Sequence, residues 1–190
     1  MLSKLIITCA LLIVVTKCDM YLKLEMESFH NPHGIKHDLK TCFNVSAQKC
    51  LTYFRFCLSA STSASHDCLS EFKTQIIGEN TITSEQFKLT TNSIVFPILG
   101  DEQSLKELNL FIEVYNDLTS NHHHHQQQEQ ENQLISQWKL DNVVVNGKVN
   151  EWRRFSQVNE PLSQQMTFNY KLECFINYEG SFCEKRKLKL

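Results

Sequence analysis

Three long segments of the chain alternate between apolar and polar residues, which is the pattern of β-strands that bury one face. They are residues 20–29, 108–115 and 166–174. In the first segment Leu22, Leu24 and Met26 lie on one face, and Lys23, Glu25 and Glu27 lie on the other. The first segment is therefore predicted to be a half-buried strand, and each of the other two is predicted to be a strand.

A fourth strand is predicted between Cys50 and Cys57, where the chain is rich in aromatic residues. Successive side chains of a strand point to opposite sides. We expect the more apolar side, which carries Phe54, Phe56 and Leu58, to face a core. The other side carries Leu51, Tyr53, Arg55 and Cys57.

Shorter apolar runs predict further strands at residues 72–77, 87–89 and 94–99. Pro97 favours an edge strand or a bulge for the last of these, because proline cannot donate a hydrogen bond to a neighbouring strand. Residues 134–140 fit either a short helix or a strand. Many short strands with few helix signals predict an all-β fold, an antiparallel β-sandwich.

Two features follow near the end of the predicted sandwich. Residues 143–149 contain Asn146-Gly147, a pair that is typical of a tight hairpin turn. Trp152 and Phe155 come next, and we expect these aromatic side chains in the core or at an interface.

Composition narrows the class of protein. The formal net charge of the 190 residues is −2, which argues against a protein that holds nucleic acid through phosphate contacts. A hydrophobic content of 42%, with 12 phenylalanines, indicates one globular domain that buries a sizeable core.

Residues 1–18 have the features of a secretory signal peptide. Lys4 provides a positive charge, and the apolar run at residues 5–15 is shorter than the roughly 20 residues that span a bilayer. Small residues at Thr16 and Cys18 favour cleavage after Cys18. A bacterial lipoprotein site at Cys18 is the alternative, although Lys17 fits it poorly. We therefore expect a secreted, soluble mature chain without a later membrane span.

The mature chain would keep six of the 8 cysteines, since Cys9 and Cys18 leave with the signal peptide. An even number suits a fully paired protein in an oxidising compartment. The remaining cysteines are Cys42, Cys50, Cys57, Cys68, Cys174 and Cys183. Asn44-Val-Ser46 is an N-glycosylation sequon, and we expect Asn44 to carry a glycan.

Residues 120–133 form a low-complexity loop with consecutive histidines followed by a Gln/Glu run. Imidazoles bind zinc well, but adjacent histidines on such a tract lack the fixed geometry of a metal site. We expect a disordered loop, and no specific metal or cofactor.

No motif of an enzyme is present, whether Gly-x-Ser-x-Gly, His-Glu-x-x-His or a phosphate-binding glycine loop. A Cys/His nucleophile is conceivable because His30, His33, His37 and His66 lie near cysteines. Such a nucleophile needs a free thiol, whereas all the mature cysteines are expected in disulfides. We therefore expect no enzymatic activity.

Four motifs occur in an order that is familiar from one family. Phe29-His-Asn31 is followed by Gly34, and Cys50-Leu-Thr-Tyr-Phe-Arg-Phe-Cys-Leu58 is similar to the family's Cys-x-Thr-x-Phe-Arg-Val-Cys-Leu. Leu134-Ile135 is followed by Glu151-Trp152. The final motif is Tyr170-Lys-Leu-Glu-Cys174, with Tyr178, Gly180 and Cys183 beyond it. Together they resemble the N-terminal module of the Notch ligands, the Delta/Serrate/Jagged group, and the last resembles the opening of its DSL domain.

The resemblance implies a C2-like antiparallel β-sandwich for residues 19–165 and a partial DSL domain for residues 166–190. It also implies the disulfides Cys42–Cys50, Cys57–Cys68 and Cys174–Cys183. From the residues alone six cysteines allow fifteen pairings, although pairing of neighbours is plausible because each pair closes a loop worth roughly 3 kcal/mol. Calcium binding of the C2 type is unsupported, because it needs clustered aspartates and Asp38, Asp67, Asp101, Asp117 and Asp141 are dispersed.

The resemblance further implies that the module binds EGF-like repeats of a Notch receptor and that loops at the tip of the sandwich contact membrane lipid. We expect Phe175 and Tyr178, on a disulfide-held loop, to contact the receptor, because rigid aromatic side chains are effective anchors. The alternative for Tyr178 is packing on the disulfide. The alternative function is a secreted C2-like domain that binds lipid or has a structural role.

After Cys183 the chain departs from the family, because the further DSL cysteines, EGF-like repeats and membrane anchor do not follow. Receptor activation in the family depends on an anchored ligand. We therefore expect this truncated or soluble form to compete with full ligands and not to activate the receptor.

Overall fold

The computed structural model describes residues 18–42, 49–60, 67–90, 93–100, 102–117, 133–183 and 185–187. Its elements, in chain order, are β1 (Cys18–His30), β2 (Thr52–Ala60), β3 (Ser70–Lys73), β4 (Thr81–Thr83), α1 (Ser84–Thr90), β5 (Ile94–Gly100), α2 (Glu102–Leu105), β6 (Leu108–Asn116), β7 (Leu134–Leu140), α3 (Val143–Asn146), β8 (Arg153–Asn159), β9 (Gln164–Cys174), β10 (Tyr178–Glu179) and β11 (Lys185–Arg186).

The strands form two antiparallel sheets and one small pair. In the five-stranded sheet β1 lies between β9 on one side and both β4 and β5 on the other, and β8 follows β9. The four-stranded sheet has the order β3-β2-β6-β7. β10 and β11 pair separately.

The two sheets face each other across a core of aromatic and aliphatic side chains. Phe29 of the five-stranded sheet makes edge contacts with Phe54 and Trp138 of the other, with ring centroids 5.6 and 5.8 Å apart. Phe54, Phe56 and Leu58 are buried, as their alternation predicts. The predicted antiparallel β-sandwich is confirmed.

Several of the shorter predictions have a mixed outcome. Residues 94–99 lie in an edge strand, since β5 pairs with β1 alone among the described strands. Residues 134–140 are the strand β7. The run at residues 72–77 is strand only as far as Lys73, where β3 ends.

The strand predicted at residues 87–89 is wrong, because these residues lie in the helix α1. The reason is a helix start that outweighs the short apolar run. The Thr83 N–H donates to Gln86 Oε1 at 2.9 Å, which is one half of a capping box.

The hairpin predicted at Asn146-Gly147 is also wrong. Residues 143–146 form the single helical turn α3, and Gly147 follows with φ −78°. A two-residue hairpin of the expected type needs positive φ at both central residues. The Asn146 side chain instead donates from Nδ2 to the Asp141 carbonyl at 2.8 Å.

Three disulfides, Cys42–Cys50, Cys57–Cys68 and Cys174–Cys183, hold the loops, and they are the pairs that the resemblance implies.

Phe155 packs against the core and stacks on Phe168 at 4.7 Å, whereas Trp152 is 41% exposed. Asn44, His66, residues 1–17 and residues 120–132 lie outside the described residues.

Candidate functional site

The loop after β9 is closed by the Cys174–Cys183 disulfide and carries both residues that were predicted to contact a partner. It begins with a turn in which the Tyr178 N–H donates to the Phe175 carbonyl at 3.0 Å. Asn177 has a left-handed backbone, φ 78°, which asparagine adopts more readily than most residues. Ile176 and Asn177 therefore form the apex of the turn.

Three contacts fix this loop on the sandwich. The ring centroids of Phe175 and Tyr21 are 3.9 Å apart. Lys106 Nζ lies 5.6 Å from the centroid of the Phe182 ring. Cys183 is fully buried within the core. The loop is thus packed as part of the sandwich.

The two predicted contact residues, Phe175 and Tyr178, lie in different environments. Phe175 is half-buried beside Tyr21 of β1, whereas Tyr178 is half-buried against the core and begins β10. Ile176, between them, is 88% exposed. It was missing from the residues predicted from sequence, although an apolar residue at the turn of a short disulfide loop was a usable signal.

Exposed apolar residues continue from the loop onto the outer face of the five-stranded sheet. Pro97 of β5 lies opposite Tyr21. Val95 and Leu99 lie two positions away on the same face and are 40% and 65% exposed. We define the apolar surface by these neighbouring side chains: Tyr21, Val95, Pro97, Leu99, Phe175 and Ile176.

A charged cluster on β1 and β9 borders the apolar surface. Lys171 and Lys23 each place Nζ 2.5 Å from a Glu173 carboxylate oxygen. The hydrogen bonds from Lys171 and then Lys23 hold the pKa of Glu173 below its usual range. Lys171 also lies over the Trp152 ring, 4.9 Å from its centroid. An exposed apolar area with aromatic residues and a charged border is typical of a protein-binding surface.

A second exposed feature lies at the other end of β1. Ile35 pairs with Thr41, and the Leu39 N–H donates to the Lys36 carbonyl at 2.9 Å. Leu39, with φ 65°, is 70% exposed at this turn.

Lysines flank Leu39 on both sides. Lys36 Nζ and Lys40 Nζ lie 3.8 and 3.7 Å from Asp38 Oδ2. This turn follows His30, which pairs with Gln165, whereas Met20 pairs with Cys174 at the opposite end. Ten residues of strand separate the two ends by roughly 33 Å.

The described residues lack two further kinds of functional feature, a metal-binding group and a membrane-spanning helix. No group of three or more His, Cys, Asp or Glu side chains within the described ranges could hold a metal ion. No helix among the described elements is long and apolar enough to cross a membrane.

The family model described as the N terminus of Notch ligand C2-like domain matches residues 20–172. The chain belongs to this family. The match runs from β1 into β9 and ends before the Cys174–Cys183 loop, and it confirms the resemblance found in the motifs. The family is a class of ligand domain and not a class of enzyme.

Solved structures share the fold of this Notch-ligand C2-like domain. The structure of Drosophila C2-DSL-EGF1 is 22% identical, with a TM-score of 0.66, over 88% of this chain and 73% of that chain. A C2 domain of plant Extended Synaptotagmin 1 is 9% identical, with a TM-score of 0.50, over 82% of this chain and 95% of that one.

Human GIVD cytosolic phospholipase A2 is 10% identical, with a TM-score of 0.51, over 84% of this chain and 16% of that one. No curated protein sequence matches the chain. At these identities the solved structures establish the C2-like fold of the Notch-ligand domain, and nothing about its partners.

Proposed function

We propose that this domain is an extracellular recognition module that binds EGF-like repeats of a Notch receptor in cell–cell signalling. Membership of the Notch-ligand family supports a Notch receptor as the partner. The disulfides support an oxidising, extracellular compartment. The observation that carries the proposal is the exposed Ile176 on a loop that is fixed to the sandwich.

The apolar surface suits recognition because its shape exists before a partner arrives. A disulfide, the Tyr21–Phe175 contact and the buried Cys183 hold the loop in place. Binding then orders few additional side chains, which reduces the entropic cost of association. Apolar anchors near the centre of an interface contribute most of its energy.

Individual residues have separate parts in this proposal. Ile176 and the exposed part of Phe175 contact the receptor directly. Tyr178 supports the turn from behind, because its side chain packs against the core. Val95 and Leu99 extend the contact along β5.

The test uses the purified chain and recombinant tandem EGF-like repeats of a Notch ectodomain in a surface-binding assay. Ile176→Ser is expected to weaken binding about tenfold or more, as loss of an interface anchor does. Leu89→Ser is the matched control, since Leu89 is 87% exposed but lies on α1, outside the apolar surface. We expect its dissociation constant to stay within about twofold of the wild type. Equal affinities for the two variants, or no binding by the wild-type chain, would overturn the proposal.

A purified monomer in solution has nothing against which to pull on the receptor. We therefore expect the soluble domain to occupy the receptor without activating it and to lower the signal from cell-bound ligands. A Notch reporter assay measures both effects. A reporter that is switched on by the purified monomer would refute this part of the proposal.

The turn at Leu39 favours membrane contact as a second function. Lys36 and Lys40 share the Asp38 carboxylate, and the Lys40 side chain is 75% exposed. The exposed Leu39 and this remaining positive charge provide the two signals that weak membrane binding needs, apolar insertion and attraction to anionic headgroups. Leu39 lies at the end of β1 opposite to the apolar surface. The domain could therefore contact lipid at one end and a receptor at the other.

Cosedimentation with vesicles of phosphatidylcholine and phosphatidylserine tests the membrane contact. Leu39→Ser should reduce the bound fraction. Leu69→Ser should not, although Leu69 is as exposed, at 69% against 70%. Vesicle binding that is equal for wild type and Leu39→Ser would exclude this turn as the contact.

A further inference from the structure

The end of the chain that follows the apolar surface is cationic, whereas the rest of the chain is acidic. Residues 174–190 contain four basic residues and two acidic ones, which gives a formal charge of +2. Because the whole chain has a charge of −2, residues 1–173 carry −4. The charge is thus unevenly distributed along the molecule.

Two of these basic residues, Lys185 and Lys187, lie next to the turn that presents Ile176. The Lys187 N–H donates to the Asn177 carbonyl at 2.6 Å, and Lys185 lies opposite Glu179 in the β10–β11 pair. Both lysine side chains are exposed. Lys106 approaches the same loop from the sandwich, over Phe182. We define the cationic rim as Lys185 and Lys187.

The cationic rim differs from the lysines on the other border of the apolar surface. Lys23 and Lys171 share Glu173, which offsets much of their charge. Within the part of the chain that the structure describes, no carboxylate forms an ion pair with Lys185 or Lys187. The positive charge of Lys185 and Lys187 therefore lies on the loop side, beside the turn that presents Ile176.

We propose that the cationic rim selects a receptor surface that is acidic around an apolar centre, and that it steers this surface onto Ile176. This inference rests on the proposed function and specifies the chemistry of the partner. Charge complementarity favours an acidic protein, and the extent of the apolar surface along β5 and β1 favours a broad contact over insertion of a single tip into lipid.

Exposed rim charges act mainly on the rate of association. They attract an oppositely charged partner over a distance of about a Debye length, roughly 10 Å at 0.1 M salt. They contribute little to the bound state, in which they remain hydrated. The inference therefore predicts an association rate that falls as salt rises and a dissociation rate that changes little.

The experiment measures both rate constants for the wild-type chain and the double variant Lys185→Glu/Lys187→Glu against tandem EGF-like repeats of a Notch ectodomain. At low salt the association rate of the variant should fall about tenfold or more, and the difference should shrink at high salt. The dissociation rate should stay within about twofold. Lys187→Glu alone has a matched control in Lys88→Glu, an exposed lysine on α1, which should leave the association rate unchanged.

The possible outcomes separate this inference from the proposed function. Wild-type binding with an association rate that is independent of salt, or equal for wild type and the double variant, would overturn the acidic partner and leave the proposed function standing. Absence of wild-type binding would overturn both. In a parallel measurement with phosphatidylserine vesicles, loss of vesicle binding by the double variant without a change in receptor association would assign the lysines to a membrane and also overturn the inference.

Discussion

Arg55 is a charged residue on a strand that is otherwise rich in aromatic residues, and it joins three strands of the four-stranded sheet. Its Nη1 atom lies 2.6 Å from Glu113 Oε2 and its Nη2 atom 2.9 Å from Glu71 Oε2. Glu113 also accepts hydrogen bonds from the Tyr115 hydroxyl and from Gln137 Nε2. The hydrogen bond to Glu71, together with that to Glu113, raises the pKa of the Arg55 guanidinium. Its position within a family motif therefore has a structural reason.

Replacing Arg55 should be costly, because the Glu113 side chain is only 5% exposed. Arg55→Met would leave that carboxylate buried without a counter-charge, and we expect the free energy of unfolding to fall by about 3–5 kcal/mol. Urea denaturation measures the loss. Arg154→Met is the control, since Arg154 pairs with Glu27 but is 66% exposed, and it should cost about 0–1 kcal/mol. Similar losses for both variants would contradict the role given to Arg55.

Glu173 should make the stability of the domain depend on pH. Its pKa is lowered from 4.5 in the folded chain by Lys171 and Lys23, so its contribution is present above that value and is lost as the pH falls through the lowered pKa. Wild type should therefore be more stable than Glu173→Gln near neutral pH. The difference should shrink in acid. Chemical denaturation of both proteins across the acidic range measures it, and a difference that does not vary with pH would argue against the ion pairs.

At the scale of elements, long strands were predictable because a period of two is visible in the residue types. β1, β6 and β9 coincide with the alternating segments at residues 20–29, 108–115 and 166–174, although β6 is buried on both faces. Short elements were not predictable in this way, because two or three apolar residues fit a helix or a strand equally well. The helix α1 did have a local signal in Thr83 and Gln86, which form part of a capping box.

Gly147 explains why the Asn146-Gly147 pair led to a wrong prediction of a hairpin. A Cβ atom at this position would lie 2.6 Å from Leu172 Cδ1 and 2.8 Å from the Val143 carbonyl oxygen. The glycine therefore allows close packing of α3 on β9, and this requirement depends on a contact that is distant in sequence. Nothing in residues 143–149 alone distinguishes it from a turn requirement.

Gly147→Ala should destabilise the domain by about 1–3 kcal/mol, because either Leu172 or the helical turn must move. Thermal unfolding measures the change. Gly78→Ala is a suitable comparison, since its Cβ would first meet the flexible Gln86 side chain, at 3.0 Å. We expect a smaller loss for Gly78→Ala. A melting temperature that is unchanged by Gly147→Ala would show that the space is not needed.

At the scale of the whole molecule, the candidate site was only partly predictable. The spacing of Cys174 and Cys183 and the family resemblance pointed to the loop and to Phe175. The extension of the surface onto Val95 and Leu99 depends on the pairing of β5 with β1, whose register brings Pro97 opposite Tyr21. Such a long-range register could not be derived from local pattern.

The place of β9 in the sheet leads to a prediction about fragments. β9 lies between β1 and β8, so a fragment of residues 19–165 would lose the strand that joins β8 to the rest. We expect this fragment to lack cooperative unfolding, and residues 19–187 to retain it. Circular dichroism during thermal unfolding distinguishes them. A cooperative transition in the shorter fragment would show that β9 is dispensable.

The burial of Cys183 in the core has a consequence for how binding would be sensed. Because the loop is anchored in the interior, we expect its backbone amides to exchange hydrogen with solvent together with those of the strands beneath it. Occupation of Ile176 by a partner should therefore slow hydrogen exchange of backbone amides along the whole of β1 and β9, including residues beyond the apolar surface. Conversely, a substitution that loosens the interior should appear as reduced affinity, even where no residue of the contact has been altered.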